Sequence, residues 1–406
     1  MRNLAQREMK INNCWLIILV FLTSPLWGQS AIQLPDVVAS AGIIQRTIKI
    51  DSESASLRSQ ANALFKLHGG FKQTGTARDA DFAFQFSPVG LSGVKVIIQS
   101  GNQTLWQGQF DGASRQKSLM QAADTCVEKT LGIPGFFSSQ IAFISSRSGH
   151  AEVFLSDMLF SSVKQLTRDR NQCLSPEISP DGNTILYTSY HGTGFPDIYK
   201  INLVTGRRTV FAGFKGTNTG AAFDPQGRSV AMILSGSGNS ELFVANASGG
   251  QLRRLTTRES LESDPSWSPD GSRIVLTSDQ LGQPQIYTVQ SNGRQFRRVQ
   301  TNISRNCSEP TWNPRNADQI AFTAAVASEF EICVYEFSKD KSTILSKGSG
   351  DAVHPEWLND GRHLIYTHRT PKFTRLMVLD TLTGSRAVLS PADMNNASQA
   401  SVYYPQ

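Results

Sequence analysis

Only a short set of side chains in this 406-residue sequence could do chemistry. The stretch SWSPDGSRIVLTSD, Ser266 to Asp279, joins serines and two aspartates through a tight turn, the ingredients of a nucleophilic site. Asp264 and Glu309 offer a carboxylate pair that, around a channel, would suit the calcium-dependent chemistry of a hydrolase or lactonase. His363 and His368 stand five apart on an expected strand, an odd offset that sends them to opposite faces, so no shared metal is expected. Cys126, Cys173, Cys307 and Cys333 are too sparse for a disulfide-dependent scaffold. No Gly-x-Ser-x-Gly elbow, His-Glu-x-x-His, phosphate-binding glycine loop or Cys-x-x-Cys pair is present.

A catalytic stretch should occur once, and this one recurs. SPEISPDGNTILYTS from Ser175, GAAFDPQGRSVAMIL from Gly220, DPSWSPDGSRIVLTS from Asp264, EPTWNPRNADQIAFT from Glu309 and HPEWLNDGRHLIYTH from His354 are copies of one unit. Their anchors, Pro180, Pro225, Pro269, Pro314 and Asn359, are spaced by 45, 44, 45 and 45 residues. Each unit reads as a short apolar run, an Asp-Gly turn expected to be type I′, an alternating strand, a Gly-rich loop and two further strands. Four antiparallel strands in that span make a propeller blade. The serine and aspartate of the opening stretch are therefore turn residues, and no catalytic residue is expected.

Five units are complete and a sixth is split. Residues from Gln140 supply strands two to four of a blade, and QASVYYPQ at the C-terminus, with Pro405 taken as its anchor, supplies the first. The expected fold is an all-β six-bladed β-propeller, residues 137–406, whose first blade the C-terminal strand closes, so that no sheet edge is left open.

A small N-terminal α/β domain, residues 29–136, is expected in front. It has a helix from about Ser52 to Lys66, strands DFAFQFS, GVKVIIQS and QTLWQGQF, and a second helix capped by Ser114. Leu119, Ala123, Cys126, Val127 and Thr130 put one packed face on that second helix, which stops at Gly132. Residues 1–28 read as a secretory signal peptide: Arg2, Arg7 and Lys10 precede the short apolar run Cys14 to Leu22. Its removal takes three cations and one anion and lowers the net charge from +6 to +4. No run of five like charges exists, so nucleic acid is not an expected partner.

The loop entering each first strand brings the chain from rim to axis, so residues four to eight positions before each anchor should ring the channel mouth. These are Cys173, Ser175 and Pro176, then Thr217 and Gly220, Ser263 and Asp264, Ser308 and Glu309, and His354. Most are small and polar, suited to receiving inserted side chains. No cofactor is expected, and a calcium ion in the channel is the alternative that the acidic pair leaves open.

The junction EKTLGIPGFFSSQIAFIS, the segments EPTWNP and TSDQLGQPQIYTVQSNG, and the ring of SWSPDG blades closed by a C-terminal strand resemble the TolB family, periplasmic components of the Tol-Pal envelope system. The resemblance implies a non-enzymatic periplasmic scaffold, peripheral to membranes, that docks a peptidoglycan-associated lipoprotein on one propeller face and inner-membrane Tol proteins through its N-terminus. It also makes Thr217, Gly220 and Ser263 the matched contact positions. The sequence departs from the pattern at Asn316 and Asn359, where Pro-Asp-Gly is broken, and its first mature residues carry no recognisable Tol-binding segment.

Overall fold

The computed structural model describes residues 45–405, so the expected signal peptide and the first residues after it lie outside the described residues. The chain opens with β1 (Arg46–Asp51), α1 (Ala55–Leu67), β2 (Phe71–Gln73), β3 (Phe82–Val89), β4 (Gly93–Ser100), β5 (Gln103–Phe110) and α2 (Arg115–Leu131). These strands form one sheet in the order β2-β1-β3-β4-β5, with β1 parallel to both of its neighbours. Ser54 and Ser114 cap the helices by accepting the amides of Leu57 and Lys117, and Gly132 ends α2 with a φ of 69°. The expected face of α2 packs inward, with Leu119, Ala123, Cys126 and Val127 all buried.

Six four-stranded sheets follow. In the first, β6 (Gln140–Ser145), β7 (Glu152–Asp157) and β8 (Lys164–Gln165) are joined by the C-terminal strand Ser398–Tyr403, which pairs antiparallel with β6. The innermost strands of the other five blades are Cys173–Ile178, Asn218–Phe223, Glu262–Trp267, Cys307–Trp312 and Asp351–Trp357. Most second strands are buried on both faces, for example Arg273–Ser278, because each blade is sandwiched between two others. Trp267 and Trp357 donate their indole N–H groups to Ala222 and Thr311, carbonyls on the inner strand of the preceding blade, at 3.1 and 3.3 Å. The tryptophan of one blade thus fixes it to the last.

The blade turns are not type I′. In SPDG the Gly182 amide donates to Ser179, and Gly182 alone takes positive φ, +70°; Gly271 does the same. The proline preceding Asp181 or Asp270 holds φ near −65°, which a type I′ turn forbids, so the turn is type I closed by a left-handed glycine. Asp270 caps the turn, accepting from Ser268 and Ser272.

All described residues belong to one compact unit. The α/β sheet and helices share a single apolar core with the first and sixth blades through Phe136, Phe137, Phe143, Leu358 and Ile365. Asn359 donates to the Gly135 carbonyl at 3.0 Å, and the Tyr404 hydroxyl donates to Asp124 at 3.1 Å. These contacts use the ends of blade strands where one-two and three-four turns emerge. The α/β domain therefore sits on the turn end of the first and sixth blades, and the opposite end of the channel is free of it.

Candidate partner-binding site at the channel mouth

Each innermost strand carries a β-bulge near its start, and one residue of each bulge has left-handed backbone. The six are Ser175 (φ 47°), Gly220 (62°), Asp264 (51°), Glu309 (55°), His354 (53°) and Gln399 (51°). Only one is glycine, so five of six blades hold an ordinary residue in a costly conformation at the same place. Sixfold repetition turns that local feature into a ring of side chains around the channel mouth.

The ring ties itself together. Gln399 accepts the Ser175 amide at 2.9 Å, Glu309 accepts the His354 amide at 2.8 Å, and Thr277 and Thr367 accept the amides of Glu309 and Gln399. Glu309 also lies 3.1 Å from His354 Nδ1 and takes the Thr323 hydroxyl at 2.7 Å. Asp264 takes the Ser263 hydroxyl at 2.7 Å; burial raises its pKa, and the Glu309 charge raises it further. Below the ring, Glu177 accepts the Phe223 amide and the Ser401 hydroxyl, and Glu356 accepts the Thr311 hydroxyl, each at 3.2 Å. Burial pushes Glu177 up to about 7 and Glu356 up to about 8, Glu356 also because it faces the Glu177 charge. The channel encloses about 800 Å³, and its wall carries five acids against one arginine and one histidine, so its field favours cationic or donor-rich inserts.

Of the residues expected at the mouth, Ser175, Pro176, Gly220, Asp264, Glu309 and His354 line the channel together. Thr217, Ser263 and Ser308 are half-buried beside it and do not line it. Cys173 corrects the expectation: it is fully buried among Glu152, Thr167, Asp169 and Ser189 and cannot meet a partner. A strand without a bulge would point Cys173 the same way as Ser175, but the extra residue reverses the parity. Gln399 was missed because Pro405 was taken as the sixth anchor. The bulge shows that Tyr404, 45 residues after Asn359, is the equivalent position. Glu177 and Glu356 stand two residues beyond ring members, the period that a strand keeps on one face, and that spacing was the available signal.

A second polar cluster lies at the domain junction. His363 is fully buried, with Nδ1 2.5 Å from Asp360 and Nε2 3.4 Å from Asp380, while Arg362 makes two-pronged contact with Asp380. Burial opposes the charge on His363, but the two carboxylates together raise its pKa. Its neighbour His68, with ring centroids 4.3 Å apart, is held neutral by burial and by the charges of His363 and Arg362. Among the described residues, His68, Asp360 and His363 are the one group of three metal-ligating side chains whose donor atoms lie within 4.8 Å of one another. They do not fit an ion. Ligands of a tetrahedral centre stand about 3.4 Å apart, whereas Asp360 and His363 are at hydrogen-bond distance, and charge balance is already met by His363 and Arg362.

The fold and this mouth define a two-domain six-bladed β-propeller with a bulge-lined channel. The sequence pattern of the TolB beta propeller domain matches residues 127–401. The chain belongs to the TolB β-propeller family. It is 34% identical over 142 residues to the Tol-Pal system protein TolB of Desulfosudis oleivorans, covering 35% of this chain and 32% of that one. It is 29% identical over 255 residues to the protein TolB homolog of Chlorobium chlorochromatii, covering 60% and 55%. The chain thus spans about a third to just over half of the length of these curated relatives. The crystal structure of TolB from Acinetobacter baumannii shares the fold, with a TM-score of 0.80 at 22% identity over 89% of this chain and 97% of that one.

Proposed function

We propose that this chain is a periplasmic, non-catalytic scaffold of a Tol-Pal type envelope system. Its channel mouth receives an inserted segment of a peptidoglycan-associated lipoprotein, and the link supports outer-membrane integrity and constriction during cell division. The observation that carries this reading is the ring of six left-handed bulge residues at the free end of the channel. Five of the six are non-glycine residues in a conformation that costs energy, and their side chains line the open end of the channel. The names of the relatives, Tol-Pal system protein and protein TolB homolog, agree with it. Inner-membrane Tol proteins would bind through the N-terminal segment, outside the described residues.

The competing hydrolase or lactonase reading needs a cation held by channel carboxylates. In the scaffold reading the channel carboxylates Asp264 and Glu309 serve the inserted segment and no resident cofactor takes part. Affinity capture by the mature chain from its own envelope extract, followed by mass spectrometry, tests the proposal. A lipoprotein with a peptidoglycan-binding domain should dominate the capture, and its absence would overturn the reading.

A further inference from the structure

The positive charge of this chain appears evenly scattered along the sequence, but the repeat concentrates it in space. From Ile198 to Arg258 there are eight lysines and arginines and only two acids, Asp224 and Glu241, both buried. From 280 to 308 there are four arginines and no acid. Arg-Arg pairs follow the three-four turn in three consecutive blades: Arg253-Arg254 and Arg297-Arg298 share one register, and Arg207-Arg208 lies two residues nearer its turn.

The two members of each pair differ in role. The second arginine turns inward: Arg208 pairs with Asp169, Arg254 with Glu241 at 2.6 Å, and Arg298 donates to Gln285 at 2.6 Å. The first arginine, Arg207, Arg253 or Arg297, is exposed and meets no carboxylate among the described residues, and Arg294 beside them is exposed as well. These positions follow the three-four turns, which leave every blade at the turn end. Two of those turns also project apolar side chains, Val204 (77% exposed) and Leu252 (38% exposed). The exposed turn aspartates, Asp181 and Asp270, lie inward toward the channel and are engaged in capping their own turns. In the fifth blade the corresponding turn is of mixed charge, with Lys339 paired to Glu336 at 2.8 Å, and on the first and sixth blades the α/β domain occupies this end.

We infer that the turn-end edge of the second, third and fourth blades is a membrane-contact surface that binds the phosphate groups of an anionic lipid leaflet. Guanidinium groups grip phosphate oxygens in pairs. An acid-free row of them, one per blade with apolar tips between, matches a planar phosphate array with a shallow apolar layer beneath it. This edge begins beside the first blade, on which the α/β domain sits, runs to the far side of the ring, and faces away from the free mouth, so the surface stands independently of lipoprotein binding.

The mature chain should sediment with phosphatidylcholine vesicles that contain phosphatidylglycerol and not with phosphatidylcholine alone. Binding should fall as salt is raised toward about 1 M, where the screening length drops to about 3 Å. R207A/R253A/R297A should weaken binding to the anionic vesicles by about tenfold or more, while R207K/R253K/R297K keeps most of it and both melt like the wild type. The inference fails if the wild type shows no preference for anionic vesicles or if the alanine variant binds as well as the wild type. It also fails if immobilised polyglutamate, and not the vesicles, retains the protein through these arginines, which would assign the edge to an acidic protein.

Discussion

Deleting residues 399–406 should unfold the propeller rather than trim a tail. The removed segment contributes the pairs Ser401 with Ala142, Val402 with Ile141 and Tyr403 with Gln140 on β6. It also supplies the acceptors for two amides of the second blade, Ile178 through Ser401 at 3.0 Å and Ser175 through Gln399 at 2.9 Å. Lost ladder bonds cost about 1 kcal/mol each, and each inner-strand amide left without a partner costs about 1–3 kcal/mol. The loss of Tyr404 further strips a partner from Asp124, which burial already pushes up to about 6. The total, about 5 to 9 kcal/mol, is comparable with the whole stability of a typical domain. Circular dichroism melts of the mature and truncated proteins would measure it, with the truncated protein melting more than about 10 °C lower or failing to fold. Coincident melting curves would refute ring closure by the C-terminal strand.

Other expectations follow from single positions. Gly69→Ala would place a Cβ 2.5 Å from that of Asp380, so the domain junction must shift, with a loss of about 1–3 kcal/mol in thermal unfolding. Because the folded pKa of Glu356 is raised, its stability contribution is complete below its unfolded pKa of 4.5 and is lost as pH rises through about 8. Glu356→Gln should therefore gain about 2 kcal/mol over the wild type at pH 9, discounted for water in the channel, and much less at pH 5; equal melting at both would contradict this. Cys173 and Cys307, free and buried in separate clusters, should resist alkylation in the native protein and react fully after denaturation, in contrast to the mouth position expected of Cys173. Rapid native labelling measured by mass spectrometry would show otherwise.

The repeat made the propeller legible because each blade restates the same strand, turn and spacing, and one misread turn could not disturb the count. The α/β domain was read less completely. β1 alternates buried Ile48 and Ile50 over only six residues, and β2 is three residues long, too short to show a period. The mouth was found by counting back from the anchors, which located the bulge residues of five blades. Counting could not say which side chains face the channel, since a bulge inverts parity, and Cys173 fell on the wrong side for that reason. The His68 and His363 pair had no local signature at all. The two rings meet only because the α/β domain docks on the sixth blade, and nothing in either neighbourhood encodes that distant contact.

The central claim is that the ring at the free mouth binds a lipoprotein, and calorimetric titration with the lipid-free form of the peptidoglycan-associated lipoprotein from the same source tests it most directly. Asp264→Asn keeps a side chain that tolerates the left-handed backbone and should leave the fold intact. Asp264→Lys places a long cation across the mouth and relieves the repulsion from Glu309, so it too should fold. The wild-type chain should bind saturably with one site, and Asp264→Lys should weaken binding by about tenfold or more, equivalent to about 1.4 kcal/mol. An undetectable wild-type heat, or an affinity for the folded Asp264→Lys protein equal to that of the wild type, would contradict the account.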